Sequence, residues 1–205
     1  MPGTVAGVLL AAGEGSRFGR PKALVELDGQ TLAARGVAML RAGGADPVLI
    51  VTGAAAVDLP PGYQVRTVPN PEWRTGMGSS LRAALRALAG PQDPPVDAAV
   101  VALADQPLVG AAAVARLIAA HRSGAGVAVA AYGGQPRNPV LLAREHWPEV
   151  IALAAGDQGA RAFLRARPDV VTLVECGDTG RPDDIDTPAD LAAIAVRRPE
   201  SPSGR

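Results

Sequence analysis

The chain has 205 residues, 48% of them apolar and only 3% aromatic, so it can bury one good core built mainly from Ala, Val and Leu. Lys plus Arg and Asp plus Glu number 20 each, and the formal net charge of zero argues against a nucleic-acid or anionic-membrane partner; any phosphate binding must be local. The single cysteine, Cys176, excludes an internal disulfide and a Cys-based zinc site, as expected in a reducing cytosol.

Met1 to Thr4 lack the regions of a signal peptide and no apolar run approaches membrane length, so a soluble cytoplasmic protein is expected. In chain order, an apolar run predicts a strand over 5–10, a glycine-rich loop follows, and helical periodicity covers 32–41. Strands are predicted over 48–51 and 65–68, a helix over 80–88, a strand over 98–103 and a helix over 112–121. The remainder reads as a strand over 127–131, a short strand over 140–142, helices over 147–154 and 160–165, a strand over 170–174 and a helix over 189–196. This alternation is the α/β pattern, and crossovers of that length imply parallel strands with right-handed connections. Ligands in such sheets gather beyond the strand C-terminal ends. Pro60-Pro61-Gly62 and the stretch 90–95 signal turns, but neither divides the chain; one domain over 1–197 and a frayed tail over 198–205 are expected.

The first loop is the most informative segment. Gly13, Gly15 and Gly19 are spaced G-x-G-x-x-x-G with Pro21 just after, which fails the dinucleotide spacing G-x-G-x-x-G; the register G-x-x-x-x-G-K-[ST] is also missing around Lys22. Successive N–H groups of a glycine-rich turn form an anion-binding concavity, Arg17 offers a flat fork and Lys22 a point charge. That combination suits a triphosphate.

Asp105 follows the strand over 98–103, where a carboxylate facing such a loop can join magnesium to substrate phosphate. Gln106 either orients substrate or completes the turn. Near the C-terminus, Thr187 reads as N-cap, Pro188 as N1 and Asp190 as N3 of the last helix. Asp186 is not explained that way, while Asp183 and Asp184 read as solvated. In Asn70-Pro71-Glu72-Trp73-Arg74-Thr75-Gly76-Met77-Gly78-Ser79-Ser80-Leu81, small residues precede a helix whose free N–H groups favour an anion, and Asn70 has the donor and acceptor to read a base edge. The plainer alternative makes Ser79 an N-cap and Trp73 a core residue. Arg82 reads as a solvated helix residue. His121 and His146 have no Cys or second His nearby and read as structural.

The loop Leu9-Leu10-Ala11-Ala12-Gly13-Glu14-Gly15-Ser16-Arg17-Phe18-Gly19-Arg20-Pro21-Lys22 resembles the signature of the nucleotidyltransferases that attach a nucleotide to molybdopterin. Ala11 and Ala12 place the resemblance closest to the cytidylyltransferase branch. It implies a three-layer α/β/α Rossmann-like fold with a mostly parallel sheet and a Mg2+-dependent enzyme. The implied reaction transfers CMP from CTP to the terminal phosphate of molybdopterin, possible further partners being a molybdoenzyme or its maturation factor. Arg17, Lys22 and Asp105 are then catalytic; Leu10, Ala11, Ala12, Gly13, Gly15, Ser16, Arg17, Lys22, Asn70, Gly76, Ser79 and Ser80 bind nucleotide. Asp105 and Asp186, the latter in Asp186-Thr187-Pro188, hold the metal. Asn138, Pro139 and Arg161 face the acceptor, although Arg137-Asn138-Pro139 stands where relatives often carry Gly-His-Pro and Arg161 is as readily an exposed helix residue. The competing readings are a transferase of the same fold using GTP or another acceptor, and a non-catalytic carrier of the cofactor.

Overall fold

The structure, a computed structural model, describes residues 3–91 and 95–196. The expected tail over 198–205, position 197, positions 92–94 of the turn stretch 90–95 and the first two residues lie outside it. Nine strands are described: β1 (Thr4–Leu10), β2 (Glu26–Leu27), β3 (Gln30–Thr31), β4 (Val48–Thr52), β5 (Val65–Pro69), β6 (Val96–Leu103), β7 (Val127–Tyr132), β8 (Gln135–Ala143) and β9 (Val171–Glu175). The described helices are α1 (Leu32–Ala42), α2 (Met77–Ala89), α3 (Ala111–Arg122), α4 (Trp147–Leu153), α5 (Arg161–Ala166) and α6 (Pro188–Val196).

Seven strands form one sheet in the order β5-β4-β1-β6-β8-β7-β9. Side chains alternate across it as period-two geometry requires. Leu9, Ile50, Val100 and Leu141 face α1 and α3, while Val8, Val51, Val101 and Leu142 face α2, α4 and α5. Each buried Leu or Ile stabilises the fold by roughly 1.5–3 kcal/mol. The result is a three-layer α/β/α arrangement with a mostly parallel sheet, as the resemblance implies.

The sheet is mostly parallel, with one exception that the apolar pattern hid. β8 runs antiparallel to both β6 and β7 and is far longer than the predicted 140–142. Its first half, Gln135-Pro136-Arg137-Asn138, is polar and therefore reads as loop. Gly133 and Gly134, at φ of 60° and 75°, make the two-residue hairpin turn that positive φ at both positions allows. This reversal brings Arg137 and Asn138 to the edge where the other strands end. A second missed hairpin, β2–β3, turns at Asp28-Gly29 with φ of 54° and 75°.

A third, smaller cluster buries Val25, Leu27 and Leu32 against Ile185 and Ile194 of the C-terminal segment, with Phe18 packed beside them. Backbone bonds from Ile185 N to Asp105 O (2.8 Å) and from Arg181 N to Leu108 O (3.0 Å) fasten that segment to the loop after β6. Residues about eighty positions apart are thereby set side by side.

Candidate active site

The site begins at the C-terminal ends of β1 and β6. Gly15 has φ of 65°, and a Cβ there would stand 2.1 Å from the Arg20 carbonyl oxygen, so only glycine lets the loop fold back on itself. The turn is closed by Phe18 N and Gly19 N donating to Gly15 O at 2.8 and 2.9 Å. Gly13 differs: a Cβ built on it would meet no protein atom within 4 Å. The space beside Gly13 is open to a ligand.

Beyond these strand ends lie two joined clefts. The first, of about 510 Å³, is lined by Leu10–Gly13, Gly15–Arg17, Lys22, Gly76 and Ser80 among the expected nucleotide-binding residues. The second, of about 930 Å³, shares Arg17, Met77, Leu103 and Asp105 with it. Asp105 sits where the two meet.

Lys22 Nζ lies 2.9 Å from Asp105 Oδ2 and 2.6 Å from Asp186 Oδ1, and Arg17 approaches Asp186 Oδ2 at 3.0 Å. The bond from Lys22 holds the Asp186 carboxyl below the ordinary aspartate value of 3.8, against the upward push of burial. Burial pulls the Lys22 ammonium down, but the two carboxylates outweigh it and hold it above 10.5. Two hard carboxylate oxygens thus converge on one cation position, a donor set that suits a divalent metal such as magnesium. Among the described residues no group of three or more His, Cys, Asp or Glu could hold a metal, so the other ligands would be phosphate oxygens and water.

These shifts carry a pH prediction. A lowered carboxyl pKa stabilises the fold above 3.8 and loses that contribution as pH falls through the depressed value; a raised ammonium pKa stabilises below 10.5 and loses it as pH rises through the elevated one. The stability gap between wild type and Asp186→Asn is therefore expected to be constant across neutral pH and to close in acid. Thermal unfolding from pH 7 to about pH 2 measures it, and a gap unchanged at the acid end would contradict the assignment.

Several expectations are corrected. Asn70 is buried and its amide is spent within the protein: Nδ2 donates to Ser79 Oγ (2.8 Å) and Ser80 Oγ (3.0 Å), while Oδ1 accepts from Glu72 N (3.0 Å). In this arrangement it braces the wall of the first cleft from behind. Ser79 is the third residue of α2, whose N-cap is Gly76, and its hydroxyl lies within bonding distance of Gly76 O and Glu72 O. Like Asn70, Ser79 stands behind the lining. Trp73 is half-buried and lines the cleft with Arg74, whose guanidinium lies 4.3 Å from the indole centroid. Gly53 explains that placement, because a Cβ there would press on Trp73 at 2.6 Å. Arg82 is not a free surface residue: it donates to Ala154 O and pairs with Glu72.

Asp184 is exposed but engaged, accepting from Gln106 Nε2 at 2.9 Å; burial and the Asp105 charge push its carboxyl up. Gln106, itself buried, also reaches Pro182 O at 3.3 Å, so it ties the C-terminal segment to the loop after β6. The expected cap of α6 is present, with Asp190 Oδ2 accepting from Thr187 N at 2.8 Å and Asp190 N donating to Thr187 Oγ1 at 3.3 Å. Asn138 and Arg161 line the second cleft, whereas Pro139 is buried beneath it. Sequence reasoning missed Arg165, which follows Arg161 by four positions on α5 and joins it and Arg137 around the cleft. Its helical spacing was the available signal. Val129, Val140 and Leu173 supply apolar surface there.

A loop of this kind at a strand end, with two carboxylates beside it at the same edge of a mostly parallel sheet, marks a nucleotide-binding α/β enzyme. The chain belongs to the MobA-like NTP transferase family, whose domain description matches residues 7–171, and it is a nucleotidyltransferase. It is 39% identical to the nicotine blue oxidoreductase of Paenarthrobacter nicotinovorans, over 89% of this chain and 92% of that protein. A shorter stretch, 24% of this chain and 25% of the relative, is 54% identical to a probable molybdenum cofactor guanylyltransferase of Opitutus terrae. The fold superposes on that of Rv0371c from Mycobacterium tuberculosis, solved in complex with manganese, with a TM-score of 0.70 and 25% identity over 95% of this chain and 100% of that one.

Proposed function

We propose that the protein transfers CMP from CTP to the terminal phosphate of molybdopterin and releases pyrophosphate. The observation that carries this reading is the meeting of two clefts at Asp105, with Lys22 and Arg17 beside Asp105 and Asp186. The first cleft offers the glycine loop to phosphates; the second offers Arg137, Arg161 and Arg165, beside the shared Arg17, and apolar side chains to a phosphorylated ring system. Two sites that share one carboxylate suit a reaction between two phosphates.

Asp105 and Asp186 would hold magnesium, which when bound supplies Lewis-acid stabilisation of the charge on the transferred phosphoryl group. The loop amides, Arg17 and Lys22 hold the nucleotide and neutralise the leaving pyrophosphate. Arg137, Arg161 and Arg165 draw in the acceptor phosphate and aim one of its oxygens at the α-phosphorus. A new P–O bond forms there as the bond to the bridging oxygen breaks, and the electron pair leaves with pyrophosphate. The attacking phosphate is already ionised, so no side chain must take a proton and catalysis rests on positioning and charge.

The 39% identical relative named for an oxidoreductase motivates a second reading, a redox reaction on a bound ligand, for which NADH and NADPH serve as trial reductants. The spacing Gly13, Gly15, Gly19 departs from the dinucleotide fingerprint and favours nucleotidyl transfer. A Mg2+-dependent assay with molybdopterin and each of the four NTPs, run beside an NADH and NADPH oxidation assay, separates the readings. Pyrophosphate release with CTP is the expected result. Turnover with GTP alone would replace the base assignment, release only with another phosphorylated acceptor would replace molybdopterin, and nicotinamide oxidation without pyrophosphate would establish the second reading. Tight molybdopterin binding with no turnover would favour a carrier.

A further inference from the structure

Lys22 occupies a position that the proposed chemistry also requires for a metal. Its ammonium bridges Asp105 Oδ2 at 2.9 Å and Asp186 Oδ1 at 2.6 Å, and its side chain is only 18% exposed. The two carboxylates are held close to one another by the chain that carries them. Their chain segments are joined by the Ile185 N to Asp105 O bond, and Ile185 itself is buried in the third apolar cluster. Arg17 holds the remaining Asp186 oxygen at 3.0 Å. Two carboxylates and two cations therefore pair at one place, with the Asp184 carboxylate close by.

We infer that Lys22 is an internal counter-cation that keeps the Asp105–Asp186 pair closed to divalent metal until a polyphosphate draws its ammonium away. A dication arriving alone would meet an ammonium already between the carboxylates, and like charges in a partly buried site repel strongly. A triphosphate on the glycine loop changes that balance. Lys22 and Arg17 turn to the phosphate oxygens, and the carboxylates they leave are free for the metal, which the same phosphates also ligate. Nucleotide and metal then strengthen each other's binding by one common factor, as linkage requires. The inference rests on the reading of Asp105 and Asp186 as metal ligands, but not on the identity of base or acceptor.

Mn2+ binding to the nucleotide-free protein, followed by electron paramagnetic resonance, tests it without turnover. Lys22→Met is expected to bind Mn2+ about tenfold or more tightly than wild type, and Lys22→Met with Asp105→Asn is expected to lose that gain. Equal or weaker Mn2+ binding by Lys22→Met would overturn the inference. A second measurement uses only wild type: the Lys22 Nζ resonance should stay in place on addition of Mg2+ alone and shift on addition of CTP. A shift produced by Mg2+ alone, or none with CTP, would equally overturn it. Lys22-gated Mn2+ binding in a protein that transfers nucleotide to no acceptor would leave this inference standing while ending the proposed function.

Discussion

Asp105→Ala is expected to lower nucleotidyl transfer by about 10³-fold, on the order of 4 kcal/mol, with the fold retained. The carboxylate is the one acidic group common to both clefts. Its loss removes a ligand from the proposed metal position and leaves Lys22 paired with Asp186 alone. The backbone bond from Ile185 N to Asp105 O does not depend on the side chain, so the C-terminal segment stays docked. Pyrophosphate release under saturating CTP and magnesium measures the effect, with thermal unfolding as the control. Activity within threefold of wild type would remove Asp105 from the mechanism.

The second large effect separates two glycines of one loop. Gly15→Ala is expected to destabilise the fold by about 1–3 kcal/mol, because an L residue is strained at φ of 65° and the new methyl would overlap the Arg20 carbonyl. Nucleotide affinity should fall with it, since the turn carrying Arg17 and Lys22 must rearrange. Gly13→Ala has no such strain and no protein atom to strike. Its melting temperature should match wild type while KM for CTP rises about tenfold, because its methyl projects where a ligand would lie. Calorimetry paired with steady-state kinetics distinguishes the two variants. Equal stability of both would refute the division of roles, as would an unchanged KM in Gly13→Ala.

Much of this architecture is legible in residue order because the forces involved are local. The apolar run ending at Leu10 has to be a buried strand, the glycines after it have to be a turn, and Thr187-Pro188-Ala189-Asp190 has to start a helix; each depends on neighbours a few positions away. β8 is longer than its apolar run implies for the same reason. Its polar half is held by pairing with β7, and pairing across a sheet leaves no trace in the local apolar pattern. Asn70 shows the complementary error. Its donor and acceptor are real, but only folding reveals that Ser79, Ser80 and the Glu72 amide engage them.

By itself the sequence determined an α/β chain with a glycine loop, two cations and a set of aspartates, because strand, turn and cap preferences act over a few residues. Which aspartates matter was decided only by the tertiary structure. Asp105 and Asp186 meet through a backbone bond and a small apolar cluster joining distant segments, and Lys22 lies between them for the same reason. Charges so far apart along the chain interact only after burial of apolar surface has brought their segments together, and that burial is a property of the whole fold.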